Sequence, residues 1–200
     1  KKPVSLEGLE PLMVHKEEDT IILDVLKPSV LIGLKVMLNE LDSYHRLIHT
    51  LKLSLIMDLL FGKSSTLYER WLDQKLINDS YGLESYIEKD YGYFLIGSES
   101  DNPEGLIEAI NHALTHLESY TLDQTMFDTA KKQMIGSFVM GLDNLEYLAH
   151  ESNKHAHEGL DIYDTLSIAS AITFDDLNRF KKNIARNQYT VLTVLPQKKA

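Results

Sequence analysis

The sequence predicts an α+β fold, a mainly antiparallel sheet with helices packed on one face. Three observations lead there. The apolar period switches between 2 and 3.6 at well-marked points. The strand-like segments are grouped, two near the start, a pair in the middle and one at the end, instead of alternating regularly with helices. The chain has 200 residues, 44% of them hydrophobic, enough to bury roughly 70% of the surface its unfolded form would expose.

Thr20 to Lys27 (TIILDVLK) and Pro28 to Leu38 (PSVLIGLKVML) are rich in β-branched and apolar residues. With Pro28 between them they read as two strands or one interrupted strand. From Asp42 the period lengthens. Tyr44, Leu47, Ile48, Leu51, Leu55 and Leu59 follow i, i+3, i+4 spacing, which predicts a buried helix ending near Gly62. A shorter helix is expected from Ser65 to Leu76, with Leu67, Trp71 and Leu72 facing inward. Ser80 to Ile87 and Tyr91 to Ser98, joined by Glu88-Lys89-Asp90, read as a β-hairpin. Asn102-Pro103 then opens a helix, because Asn accepts from free backbone donors and Pro suits the first turn. Its expected buried stripe is Leu106, Ile110, Ala113, Leu114 and Leu117.

Thr121-Leu-Asp-Gln124 has the form of a capping box and predicts a long helical stretch towards His155, bent near Gly136 or Gly141. Asp161 to Ala171 reads as a short helix. A second capping box, Thr173-Phe-Asp-Asp176, starts a helix with Leu177, Phe180 and Ile184 inside. Tyr189 to Leu195 closes the chain as a strand. The whole reads as one domain over 1–200, with 1–19 as a flexible or linking segment.

Thirty acidic against 20 basic residues give a net charge of -10, and no basic cluster stands out. Nucleic acid and anionic membrane surfaces both need a cationic patch and are disfavoured as partners. The chain has no cysteine, which excludes disulfides and thiolate metal sites. Nothing requires an oxidising compartment, and the cytoplasm is the expected location. The apolar stretch from Leu47 to Phe61 is interrupted by His49, Lys52 and Asp58 and falls short of the ~20 residues that span a bilayer. The start Lys1-Lys2-Pro3, without initiator Met or signal-peptide core, reads as the start of a fragment.

Two histidine pairs have the i, i+4 spacing of helical zinc ligands: His45 with His49, and His112 with His116. A zinc peptidase also needs a carboxylate base inside that spacing, as in H-E-x-x-H or H-x-x-E-H. The segments here are HRLIH and HALTH, so Arg46, Ile48, Ala113 and Thr115 hold the base positions. His112 and His116 project away from the apolar stripe and are expected in solvent. Lys52 stands close to the other pair and disfavours a divalent cation. His150, His155 and His157 fall near a helix end, where cations suit the dipole. No catalytic residue and no metal ligand is assigned. Gly62-Lys63-Ser64 ends like a phosphate loop, but the first glycine of that motif falls on Met57, inside a helix. No G-x-S-x-G elbow occurs. Tyr81, Tyr86, Tyr91 and Tyr93 are read as sheet packing, with Tyr91 and Tyr93 sharing a face and able to touch a peptide.

Gly62 to Glu84, GKSSTLYERWLDQKLINDSYGLE, resembles a recurrent stretch of insulinase-type (pitrilysin) zinc peptidases. KPSVLIGLK, YTLDQTMFDTAKKQMIGSF and SAITFDDLNRF resemble others, in the family's order across most of 20–195. The resemblance implies a C-terminal, non-catalytic domain, similar to zinc protease homologues of Gram-positive bacteria and to mitochondrial processing peptidase subunits. Such a domain shapes a peptide-holding chamber and contacts a homologous domain or subunit in a dimer or pseudo-dimer. This fragment would need no cofactor; zinc is expected in the N-terminal part of the parent or in a partner. The fragment alone is expected to be inactive. Many members place a substrate-contacting Arg on the second helix and a Tyr shortly after it. The Arg position falls on Leu72, with Arg70 two residues away, and the Tyr position lies between Asn78 and Tyr81. Arg70 and Tyr81 are therefore the candidate substrate-binding residues. The alternative function is a structural relative of processing peptidases without proteolytic role.

Overall fold

Strong strand formers at Glu18–Leu23 (β1) and Ser29–Lys35 (β2) open a computed structural model that describes residues 11, 13–36, 41–89, 91–184 and 188–197. Of the expected linking segment, residues 1–10 lie outside the described residues, and Glu18 and Asp19 already belong to β1. The helices α1 (Ser43–Phe61) and α2 (Thr66–Asp73) follow. A hairpin of β3 (Gly82–Ile87) and β4 (Gly92–Glu99) comes next. Then come α3 (Pro103–Thr115), a 3-10 turn at Leu117–Ser119, α4 (Gln124–Gly141) and α5 (Leu145–His157). The chain continues through α6 (Asp164–Ala171) and α7 (Phe174–Ile184) to β5 (Tyr189–Pro196).

The strands form one sheet in the order β1-β5-β2-β4-β3. Among the described residues only the β1–β5 pair is parallel; the other three are antiparallel. The last strand thus enters between the first two, which leaves β1 and β3 as the edges. Register aligns Ile32 with Ile96 on one side and Val191 on the other, and Leu34 with Phe94. Because successive side chains alternate, Val30, Ile32, Leu34, Phe94, Ile96 and Val191 all turn to the helical layer and are buried. Each such side chain contributes about 1.5–3 kcal/mol relative to exposure. The opposite face carries Leu31, Gly33, Leu95, Leu192 and Val194, half-buried or exposed, with no helix over it among the described residues. The expected fold, helices on one face of a mainly antiparallel sheet, is the one observed.

The helix ends follow local chemistry. Asp42 accepts from the His45 N–H at 2.8 Å, Ser65 from Tyr68 at 3.1 Å and Asn102 from Gly105 at 3.0 Å, satisfying backbone donors at the start of α1, α2 and α3. Thr173 and Asp176 form the reciprocal box expected at α7, the Thr173 hydroxyl donating to the carboxylate at 2.6 Å and accepting from the Asp176 N–H at 3.1 Å.

Four local expectations need correction. The long stretch after Thr121 does not run to His155; it breaks at 142–144, and Asn144 caps α5 by accepting from Glu146 and Tyr147. The break follows Gly141, whose backbone is approached so closely by the Tyr147 ring that a Cβ there would lie 2.7 Å from it. The cap of α4 is Asp123, accepting from Met126 at 2.8 Å; its short carboxylate competes better for the free N–H than Thr121 two residues earlier. Leu72, expected inside, is 42% exposed. Eight residues of helix leave room for only one inward face, and Leu67 and Trp71 take it. Finally, the α1 stripe is too narrow a description: Leu53, Ile56, Met57 and Phe61 are also buried. α1 packs against β3, α2, α4, α6 and α7, whereas Tyr44 at its start faces solvent.

Candidate functional site

The enclosure of α1 is incomplete on one side. Between α1, the edge strand β3 and the helices α4 and α5 lies a cleft of about 780 Å³. Leu51, Leu55, Ile87, Met134 and Phe138 give it an apolar floor. One end is closed by an ion pair between the first turn of α1 and the end of α5: the Arg46 guanidinium donates to Glu158 at 2.7 Å and to Ser43 Oγ at 3.3 Å. The two side chains are 10% and 26% exposed, so the pair is partly desolvated and holds its geometry better than a surface pair.

His155 stands beside it, buried. Its Nδ1 faces the Glu151 carbonyl at 2.8 Å and its Nε2 the Thr165 hydroxyl at 2.8 Å. A carbonyl only accepts, so Nδ1 carries the proton, and Nε2 accepts from Thr165 in the neutral ring. Nδ1 is occupied within α5 and Nε2 in linking α5 to α6, which removes His155 as a metal ligand or general base. Asp58, on the last turns of α1, lines the same cleft. No hydrogen bond or ion pair reaches its side chain among the described residues, and desolvation pushes its carboxyl above the usual range.

The histidine pairs lie elsewhere. His45 Nδ1 sits on the Asp42 carboxylate at 2.8 Å, while His49 packs edge-on against the Phe180 ring, 5.0 Å between centroids. Burial, then the nearby cations Lys52 and His45, lower the His49 pKa. His112 and His116 are exposed and stacked at 4.2 Å, with His116 Nδ1 donating to the His112 carbonyl at 2.8 Å. Among the described residues no group of three or more His, Asp or Glu could hold a metal ion. These residues therefore offer zinc no ligand set.

The two candidate substrate residues are treated differently by the fold. Arg70 is exposed on α2. Tyr81 is 5% exposed, lies against Tyr68 and Trp71, and its hydroxyl donates to the Phe61 carbonyl at 2.7 Å. Burial raises its pKa strongly. Neither residue lines the cleft. The other tyrosines do pack on the sheet: Tyr86 lies 6.2 Å from Tyr91 and 5.8 Å from Tyr93 on the bare face, centroid to centroid. Tyr86 and Tyr93 donate to Glu88 and Glu84.

Sequence reasoning passed over Arg46, Asp58 and Glu158. Arg46 carried a signal, since it shares a helical face with Leu53 and Met57 and so must find a counter-ion when that face is buried. Its partner, 112 residues away, had no local signature.

Residues 39–134 match the family described as the Peptidase M16 inactive domain. The insulinase-type resemblance, to a non-catalytic domain, is thereby borne out. The uncharacterized zinc protease YmfH of Bacillus subtilis (strain 168) is 29% identical over 193 residues, covering 96% of this chain and 45% of that protein. A crystal structure described as an M16-like peptidase from Alicyclobacillus acidocaldarius superposes with a TM-score of 0.82 at 23% identity, covering 95% of this chain and 46% of that one. The inactive peptidase domain of a zinc protease homologue from Bordetella parapertussis gives 0.71 at 16% identity, covering 89% of this chain and 96% of its own. The chain thus spans less than half the length of the first two, and nearly all of the third. No described helix is long and apolar enough to cross a membrane.

Proposed function

We propose that this M16 inactive domain forms part of the wall of a peptide-holding chamber and docks against a homologous domain or subunit, in a dimer or pseudo-dimer, while zinc and the catalytic base are supplied by that other part. The observation that carries this reading is the bare sheet face. Leu31, Leu95, Leu192 and Val194 form a contiguous half-exposed apolar surface flanked by Tyr86 and Tyr93. Patches of that kind on a soluble fold mark contact surfaces. The relatives' greater length supplies a candidate for what meets it. Arg70, exposed on α2, is the member of the Arg/Tyr pair with access to substrate; Tyr81 is committed to the core. These 200 residues contain no cysteine, which suits a reducing compartment such as the cytoplasm.

The test mixes this chain with an M16 domain that carries H-x-x-E-H and follows cleavage of a quenched fluorescent peptide. The chain alone is expected to hold no stoichiometric zinc and to cut nothing. The mixture is expected to cut, and Leu31→Glu or Leu95→Lys to weaken association at least tenfold with the fold intact. Cleavage by the chain alone, or assembly indifferent to both substitutions, would refute the reading.

A further inference from the structure

Among the described helices, α5 is attached to the fold in a different way. None of its apolar side chains is buried: Leu145 is 81% exposed, Tyr147 and Leu148 are half-covered, and the one buried residue is His155. The shorter α2 still sends Leu67 and Trp71 into the core. Among the described residues α5 runs in extended contact with no other helix or strand.

What fastens α5 is polar and sits near its C-terminal end. The His155 ring meets the Thr165 hydroxyl of α6 at 2.8 Å. Glu158, the next residue after the helix, accepts from Arg46 of α1 at 2.7 Å. Both flanks of the helix can turn. It is preceded by the break at 142–144 and followed by Gly159 at φ +73, a left-handed backbone that glycine adopts without strain. Segments with few buried apolar contacts open at a lower free energy than the whole fold, and element-terminal residues of this kind act as hinges.

Position gives such an opening a consequence. Tyr147, Glu151, Lys154 and His155 bring α5 to one wall of the cleft, while the other walls come mainly from α1, β3 and α4. Those walls are locked by buried Leu51, Leu55, Ile87, Ala130 and Phe138.

We infer that α5 is a lid on the cleft, latched shut by the His155–Thr165 and Arg46–Glu158 contacts and able to detach while the rest of the domain stays folded. Detachment breaks one neutral hydrogen bond and one partly desolvated ion pair, and exposes no buried apolar side chain of α5 itself. It opens the way to the apolar floor. A detached helix of 13 residues is marginal in water and frays. The lid lies on the helical side of the sheet, away from the bare face, so this inference goes beyond the chamber-wall reading and stands or falls apart from it.

The chain has no cysteine, so one introduced thiol reports on one place. Ala130→Cys puts it in the cleft lining, at a position 7% exposed; Ala113→Cys puts it on α3, 1% exposed and outside the cleft. Both are labelled with dithionitrobenzoate at urea concentrations below the unfolding transition. The rate at Ala113→Cys is expected to climb with urea as global unfolding does, and the rate at Ala130→Cys to stay nearly flat, because lid opening exposes little surface. Glu158→Gln and Thr165→Val should each raise the Ala130→Cys rate about tenfold. Ile32→Val, in the sheet core, should raise the Ala113→Cys rate about two- to tenfold and leave Ala130→Cys unchanged. Labelling at Ala130→Cys that follows urea and Ile32→Val as Ala113→Cys does means that the cleft opens only when the domain unfolds, and overturns the lid. So does labelling indifferent to both latch substitutions, or as fast as in the unfolded chain. Should a thiol variant not fold, amide hydrogen exchange of the unsubstituted chain decides. Residues 145–157 should exchange together, with weak urea dependence, while the middles of α1 and α4 stay protected; exchange of α5 only in step with α1 and α4 overturns the inference.

Discussion

Tyr81→Phe separates a packing role from a substrate-contact role at the residue that the family resemblance singles out. The substitution keeps the ring against Trp71 and Tyr68, with centroids 6.4 and 5.2 Å away, and deletes one buried atom. That atom donates to the carbonyl of Phe61, the last residue of α1, at 2.7 Å. The net worth of such a hydrogen bond is about 0.5–1.5 kcal/mol, and a buried acceptor left unsatisfied adds about 1 kcal/mol more. The expected loss is therefore about 1.5–2.5 kcal/mol, read from urea unfolding at unchanged m-value. The same variant carries a pH signature. Burial raises the Tyr81 pKa above its ordinary value of 10.0, so its contribution is fully present below pH 10.0 and is lost as pH rises towards the folded value. The alkaline decline in stability should be shallower in Tyr81→Phe than in the parent; Tyr86, raised to about 12 by its bond to Glu88, supplies a residual slope in both. Peptide affinity should be unchanged. A stability loss below about 0.5 kcal/mol, or a fall in peptide affinity with the fold intact, refutes the packing account.

Breaking the Arg46–Glu158 pair should cost more singly than in the double variant, with a coupling of about 1.5–3 kcal/mol in a double-mutant cycle of Arg46→Met and Glu158→Gln; a coupling near zero would mean that the pair does not hold α1 to α5. Lys131 donates to the Ser170 and Ile172 carbonyls at 2.6 and 2.7 Å, closing the end of α6 from α4, so Lys131→Met should cost about 1–3 kcal/mol by denaturant titration. Thr173→Ala should cost about 1 kcal/mol through the lost cap of α7. It should also shift acid unfolding: bonds from Thr173, then Arg179, hold the Asp176 carboxyl at about 2, below its ordinary 3.8. The stability it confers is present above pH 3.8 and lost as pH falls towards 2, a window that should flatten in the variant. Leu72→Arg, at an exposed helical position, should change stability by less than about 0.5 kcal/mol in thermal melts.

The sequence by itself determined most of the local structure, because helices, caps and hairpins are decided within a few residues. The Asp42, Ser65, Asn102 and Thr173 starts each place a short acceptor before an apolar period, and each is where a helix begins. The absence of a carboxylate base in HRLIH and HALTH was equally legible, and it is chemistry that no fold can restore. Tertiary structure decided what depends on residues far apart. Nothing local told that β5 would slip between β1 and β2, since parallel pairing has no turn to announce it. By spacing Leu72 was expected inside and by resemblance Tyr81 was a candidate contact residue, yet packing sent the first outward and sealed the second against Phe61. The cleft, too, exists only because α1 meets β3, α4 and α5 across separations that leave no periodic trace.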